Sequence, residues 1–318
     1  MGAKQKMRVA VVGAGGVGGY IGIRLHQAGH DVGFLLRGRT LDAVRRQGLS
    51  LRNSLGDAHI AAPRASDNAG DLGIADVVLV TVKLYDLPAL APRLKPLVGD
   101  HTAVLPLQNG VDSFDLLAQA LPPDRLLKGT ATIKSFVESP GVIVCKSAFC
   151  KIRFGEPDNT RIGRTADILA LLQSGLGIDV AIADDIDAEL WRKFFMLASM
   201  SAVSCMARAR IGDILDSPPA RALAVAAALE AAAVGRAEGV NLPADIEGAV
   251  LQQVNLMPRD GRPSMLEDLE AGRPLELPYF SGTLARLGRR HGIPTPIHDM
   301  ALNVLSMHAS GLTKSAGA

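Results

Sequence analysis

The sequence predicts an α/β protein, a doubly wound parallel sheet followed by a C-terminal all-helical domain, on three observations. Short apolar runs alternate with amphipathic stretches through the first half of the 318 residues, the pattern of a parallel sheet covered by helices. A glycine-rich hexamer, Gly13 to Gly18, separates the first apolar run from the first helical stretch. Beyond about residue 184 the chain turns rich in Ala, Leu, Met and Arg at helical spacing. The expected domains are therefore residues 1–184 and 185–318.

Taken in order, Arg8 to Val12 is a compact β-branched strand ending in glycines, and Gly19 to Ala28 reads as a helix. Val32 to Leu36 is a second strand. Asp76 to Val82, written DVVLVTV, is almost wholly apolar, as a strand buried on both faces should be. Ala103 to Leu107 is another. From Leu127 to Phe154 three short runs separated by breakers such as Ser-Pro-Gly read as antiparallel strands appended to the sheet. Ala220 to Ala237 is a strong helix, and Pro243 sits where a first-turn proline would open another, running to about Asn255. Ser315 to Ala318 reads as a frayed end.

Composition excludes several classes. A net charge of +2 gives no polybasic surface for nucleic acid or an anionic membrane. The most apolar stretch without a charge, Phe194 to Met206, is 13 residues, against the roughly 20 of a spanning helix. No signal peptide is read at the N-terminus, and the myristoylation pattern fails because Lys6 stands where Ser or Thr is needed. Cys145, Cys150 and Cys205 are odd in number and form no C-x-x-C, which argues for a reducing, cytoplasmic setting. The histidines show no metal-ligand spacing, and no G-x-S-x-G elbow is present.

Gly13-Ala14-Gly15-Gly16-Val17-Gly18 is a G-x-G-x-x-G between a strand and a helix, the phosphate-binding loop of a Rossmann-type domain. Gly13 permits the tight turn, Gly15 lets backbone approach a pyrophosphate, and Gly18 lets helix pack on strand. The helix start offers N–H groups and partial positive charge to phosphates. A purely structural turn is the alternative. An NAD site wants an acid about 20 residues onward. Here Arg37-Gly38-Arg39 follows the second strand instead, and a guanidinium matches a 2′-phosphate in charge and shape. NADP(H) is favoured, with a solvated arginine pair as the bland reading.

Lys193 begins a long apolar helix near the domain boundary. Partial desolvation there would lower its pKa and make it a usable proton donor, unless it only snorkels from a buried helix. Ser264 with Glu267 reads as an S-x-x-E capping box, and a capped helix start can also receive a carboxylate. Glu276 lies twelve residues beyond Ser264 and alone would be an ordinary helix-start glutamate. Asn109, in Gln108-Asn109-Gly110, and Lys83 each close a strand, where doubly wound sheets bind ligands. An Asn-Gly turn and a solvated lysine are the alternatives.

Together, Gly13 to Gly18, Arg37, Lys83, Gln108-Asn109-Gly110, Leu190-Trp191-Arg192-Lys193, Pro263-Ser264-Met265-Leu266 and Glu276 resemble the ketopantoate reductase (2-dehydropantoate 2-reductase) family over nearly the whole chain. The resemblance implies a Rossmann domain, a helical domain and an active site in the cleft, with NADPH reducing a 2-oxo acid in pantothenate and coenzyme A synthesis. It implies Lys193 as the catalytic proton donor, with Asn109 and Glu276 orienting substrate, lysine and cofactor. Ser264 would contact the substrate carboxylate, and Lys83 the nicotinamide end. Gly13, Gly15, Gly16, Gly18, Arg37, Lys83 and Asn109 would hold the cofactor.

The chain departs from the family pattern in the segment Glu276-Leu277-Pro278-Tyr279-Phe280-Ser281-Gly282, where the family has Glu-Ile-Asp and then Asn-Gly, and at two positions on the lysine helix. Asparagines usual four and eight residues after the lysine are here Leu197 and Ser201. All three positions share one helix face, so Leu197 and Ser201 would line the substrate side with Ser264. Leucine offers no hydrogen bond to a substrate hydroxyl. The alternatives are a reductase of another branched or aromatic 2-oxo acid, and a non-catalytic NADP-binding sensor. The partner is a small 2-oxo acid, with neither nucleic acid nor membrane. A homodimer through the alanine-rich helices rests on composition alone.

Overall fold

The computed structural model describes residues 6–311, so the end at Ser315 to Ala318 and the start around Gly2 lie outside the described residues. The chain divides into two units. The first comprises the described residues up to Asn109 together with Ser113–Ile186, and the second comprises Gly110–Asp112 and the described residues from Asp187 onward.

The first unit opens with β1 (Arg8–Val12), α1 (Gly16–Gln27), β2 (Asp31–Leu35), α2 (Gly38–Gln47), β3 (Leu49–Asn53), β4 (Ala58–Ile60) and β5 (Arg64–Ser66). It continues with β6 (Val77–Val80), α3 (Leu87–Leu90), β7 (Ala103–Pro106), α4 (Ser113–Ala118), β8 (Lys128–Thr132) and β9 (Ser135–Ser139). It closes with β10 (Val142–Cys145), β11 (Cys150–Gly155), α5 (Gly163–Gln173) and β12 (Ile178–Ile182). A parallel five-stranded sheet runs β5-β2-β1-β6-β7. Every residue of β6 and β7 is buried, and so are four of the five in β1. That accounts for the near-continuous Val, Ala and Leu of these runs.

The strands between Leu127 and Phe154 are not appended to this sheet. They build two further sheets, β4-β3-β10-β9 and β12-β11-β8. Only the pairs β9–β10, β8–β11 and β3–β4 are antiparallel, while β10 pairs parallel to β3 and β11 parallel to β12. Local breakers announce where such strands end but not which distant strand they join. Within the same unit, α1 carries Arg24, which is fully buried. Its guanidinium donates to Gln27, Asn53 and the Gly56 carbonyl at 2.8–3.0 Å and lies over the Tyr20 ring. These partners offset the cost of taking the charge out of water.

The second unit is helical: α6 (Ile186–Ala207), which starts on the last residue of the first unit, α7 (Ile211–Asp216), α8 (Pro218–Ala237), α9 (Ile246–Leu256), α10 (Ser264–Glu270), α11 (Ser281–His291) and α12 (Pro296–Leu305). In α8 the inward positions are Ala224, Ala227, Ala228, Ala231 and Ala232, all buried, so neighbouring elements approach closely. Trp191 packs where a side chain on Gly235 would stand. Helix α9 starts later than Pro243 implies, because the Asp245 carboxylate accepts from Gly248 N at 2.8 Å and sets the N-terminus there. Among the described residues no helix is long and apolar enough to cross a membrane.

Candidate active site

In the first unit the glycine loop leaves the carboxyl end of β1. Gly13 has φ +92° and donates its N–H to the Leu35 carbonyl at 3.1 Å, tying the turn to β2. A Cβ at Gly13 would stand 2.8 Å from a Val82 methyl, and one at Gly18 would overlap the Gly13 carbonyl and the Thr81 hydroxyl. Nothing approaches within 4 Å of a Cβ placed on Gly15. The loop is thus closed against its own sheet at Gly13 and Gly18 and open at Gly15, as a pyrophosphate cradle requires. Gly16 opens α1, whose first turn supplies N–H donors.

Thr81, which sequence reasoning did not single out, locks this loop. Its hydroxyl donates to the carbonyls of Gly13 at 2.7 Å and Val12 at 2.9 Å. Arg37 follows β2 as the N-cap of α2, with its side chain 75% exposed and its guanidinium 2.5 Å from the Asp86 carboxylate. A pair this exposed is worth about 0–1 kcal/mol, and the guanidinium keeps further N–H donors for a phosphate. These residues fit a dinucleotide carrying a 2′-phosphate. Asp86 was also missed, since it lies 49 residues from Arg37. Arg39 is exposed on α2. Lys83 is half-buried beyond β6, which ends at Val80 and not at Val82. Asn109 is half-buried two residues beyond the buried Leu107, at a bend where Gly110 has φ +108°.

In the second unit α6 presents Lys193 and Leu197, both half-buried, and Ser201, fully buried, on one stripe. Ser199 satisfies its hydroxyl by donating to the Phe195 carbonyl at 2.6 Å, the usual back-bond of a helical serine. Ser201 does not: its Oγ is buried without a hydrogen-bond partner among the described residues, and Ser204 is in the same state. Phe194, next to Lys193, stacks edge-on to Trp191 at 5.5 Å and to Phe280 at 6.1 Å. Phe280 ends the turn that begins at Glu276, whose carbonyl accepts from Tyr279 N and Phe280 N. The aromatic contact therefore holds this turn against α6. Glu276 itself is 2% exposed.

Ser264 opens α10, yet the expected capping box is absent. Pro263 is the N-cap, its carbonyl accepts from Leu266 N and Glu267 N, and no side chain caps the helix. The helix begins one residue earlier than the serine pattern implies, so Ser264 falls inside the first turn. The structure thus places Lys193, Leu197, Ser201, Ser264 and Glu276 in the second unit, and the glycine loop, Arg37, Lys83 and Asn109 in the first. Among the described residues no group of three or more His, Cys, Asp or Glu side chains is placed to hold a metal ion.

Comparison with known proteins gives this geometry its context. Residues 9–159 match the family model described as Ketopantoate reductase PanE/ApbA, and residues 185–309 match its C-terminal counterpart. The chain is 30% identical over 304 residues to the uncharacterized oxidoreductase YkpB of Bacillus subtilis, covering 95% of this chain and 99% of that protein. It is 30% identical over 317 residues to the 2-dehydropantoate 2-reductase of Mesorhizobium japonicum, covering 93% and 96%. The crystal structure of 2-dehydropantoate 2-reductase from Geobacter metallireducens superposes with a TM-score of 0.87 at 29% identity, covering 95% and 99%. The chain belongs to the ketopantoate reductase family and is an oxidoreductase of the NAD(P)H-dependent kind.

Proposed function

We propose that this protein reduces 2-dehydropantoate (ketopantoate) to pantoate with NADPH, in pantothenate and coenzyme A synthesis. The observation that carries the reading is the α6 stripe. A half-buried ammonium at Lys193 shares a helix face with a buried hydroxyl at Ser201 that lacks a partner among the described residues, and the Glu276 turn is pinned to the same helix. A buried unpaired hydroxyl costs stability unless a ligand group completes it.

NADPH, when bound, supplies the hydride. Gly13, Gly15, Gly16 and Gly18 bind its pyrophosphate, Arg37 its 2′-phosphate, and Lys83 and Asn109 its nicotinamide half. Lys193 holds a proton against the ketone oxygen and releases it as negative charge develops there, so the ammonium stabilises the transition state more than the ground state. Asn109 and Glu276 orient substrate and lysine. Ser264 and Ser201 hold the substrate, with the hydroxyl of Ser264 on its carboxylate.

Leu197 favours a second reading within the same chemistry. An apolar side chain on the stripe beside Lys193 suits a branched or aromatic 2-oxo acid better than one carrying a hydroxyl. NADPH oxidation with ketopantoate and a panel of 2-oxo acids separates the two. A kcat/KM highest for ketopantoate supports the first reading, and one clearly higher for an aromatic acid replaces it. A protein that binds NADPH but turns over none of the panel is the sensor instead. A cytoplasmic setting for the reaction is part of the proposal, since three cysteines, odd in number and without a C-x-x-C, suit a reducing compartment.

A further inference from the structure

Asn109 stands between two anchors. On its amino side Leu107 N donates to the Val80 carbonyl at 2.9 Å, which keeps the chain in register with β6. On its carboxyl side Gly110–Asp112 belong to the helical unit, although Asn109 before them and Ser113 after them belong to the first. The side chain of Asp112 carries that attachment. It is only 13% exposed, and its carboxylate accepts from the Thr283 hydroxyl and, at 2.9 Å, from the Arg286 guanidinium, both on α11. Thr283 is itself fully buried. A carboxylate sunk this far from water persists where donors complete it, and a charged donor holds it more firmly than a neutral one. Burial and, after it, the Asp112 charge push the Tyr279 phenol up, so the carboxylate also faces the turn that begins at Glu276.

Residues 108–111 span the two anchors, and Gly110, at φ +108°, takes the backbone conformation that lets them bend. With both ends fixed, few directions remain open to the side chain of Asn109. We propose that Asp112 is a positioning residue for the reduction and acts through Asn109. Its bonds to Thr283 and Arg286 hold the 108–111 bend, and with it the Asn109 carboxamide, in the orientation that the reactants meet. Asp112 itself touches neither substrate nor cofactor. This role rests on the reading of the chain as a 2-oxo acid reductase in which Asn109 orients the reactants.

A double-mutant cycle with Asn109→Ala tests it, read in kcat for the preferred 2-oxo acid and in the urea midpoint. Asp112→Ala should lower kcat about tenfold in the wild-type background and less than about twofold in Asn109→Ala, where no carboxamide is left to misplace. Its loss of stability should be the same in both backgrounds. Asp112→Asn keeps an acceptor for Thr283 and should recover kcat to within about threefold of the wild type. Thr283→Val combined with Arg286→Met strips both donors and should reproduce the coupled loss, and it serves if Asp112→Ala fails to fold. A kcat loss of equal factor in both backgrounds overturns the proposal, since a purely structural role moves both alike, and so does an unchanged kcat in Asp112→Ala. NADPH titration of the same preparations separates the two failures. A wild type that binds the nucleotide but reduces no 2-oxo acid overturns the reductase reading and this role with it, whereas additive losses in an active enzyme overturn only the role of Asp112.

Discussion

Replacing Lys193 by alanine should lower kcat for the preferred 2-oxo acid by at least about 100-fold, the scale of losing a general acid, while NADPH affinity changes little. Steady-state kinetics and nucleotide titration of the same preparation measure both. Arg37→Ala should weaken NADPH by about 10- to 100-fold and NADH hardly at all, since only NADPH carries the 2′-phosphate proposed to meet the guanidinium. Leu197→Asn should raise kcat/KM for ketopantoate relative to an aromatic 2-oxo acid by about tenfold, because the amide restores a partner for the substrate hydroxyl. Arg37 lies just after β2, where the sequence puts it, whereas Lys193 stands well inside α6, which starts at Ile186, and not at the helix start that the apolar run implies. Thr81, Asp86 and Ser204 were not legible. Thr81 acts on a loop 68 residues away and Asp86 on an arginine 49 residues away, and Ser204 differs from Ser199 only in what surrounds it.

Helix α1 depends on close approach. A methyl group at Gly18 would overlap the Gly13 carbonyl and the Thr81 hydroxyl, so Gly18→Ala should cost about 1–3 kcal/mol and weaken nucleotide binding together with stability. Urea denaturation alongside NADPH titration reads both. At this scale the apolar runs located the buried strands to within a residue or two, because burial on both faces leaves little choice of side chain. The helix starts were less legible. The serine of an S-x-x-E pattern is only one way to satisfy the first N–H groups of a helix, and at α10 the Pro263 carbonyl takes two of them. Pairing of β10 with β3 and of β11 with β12 was illegible, since nothing in either run encodes its partner.

The pH dependence of stability belongs to the whole fold. His298 is fully buried, and burial pushes its pKa down to about 4 from the usual 6.5, against smaller opposing effects of the Ala227 carbonyl and Asp299. The unfolded chain takes up this proton below pH 6.5 and the folded chain does not, so stability falls as pH drops from 6.5 toward 4. By pH 5 the loss is about 2 kcal/mol. Glu230, whose carboxylate accepts from Ile297 N and His298 N, has its pKa raised by burial. Its effect has the opposite sense and favours the folded state at low pH. The urea midpoint should fall between pH 7 and pH 5, and the fall should shrink in His298→Gln.

A parallel sheet followed by a helical half was legible from periodicity alone. The three residues Gly110–Asp112, which cluster with the helical unit although they lie deep in the first half of the gene, were not. Asp112 accepts hydrogen bonds from Thr283 and from Arg286. The seam of this protein is consequently not a single cut. A chimera that takes its C-terminal half from a relative must import codons 110–112 as well. One joined only near residue 186 would set this aspartate before foreign side chains and disturb the turn that carries Asn109.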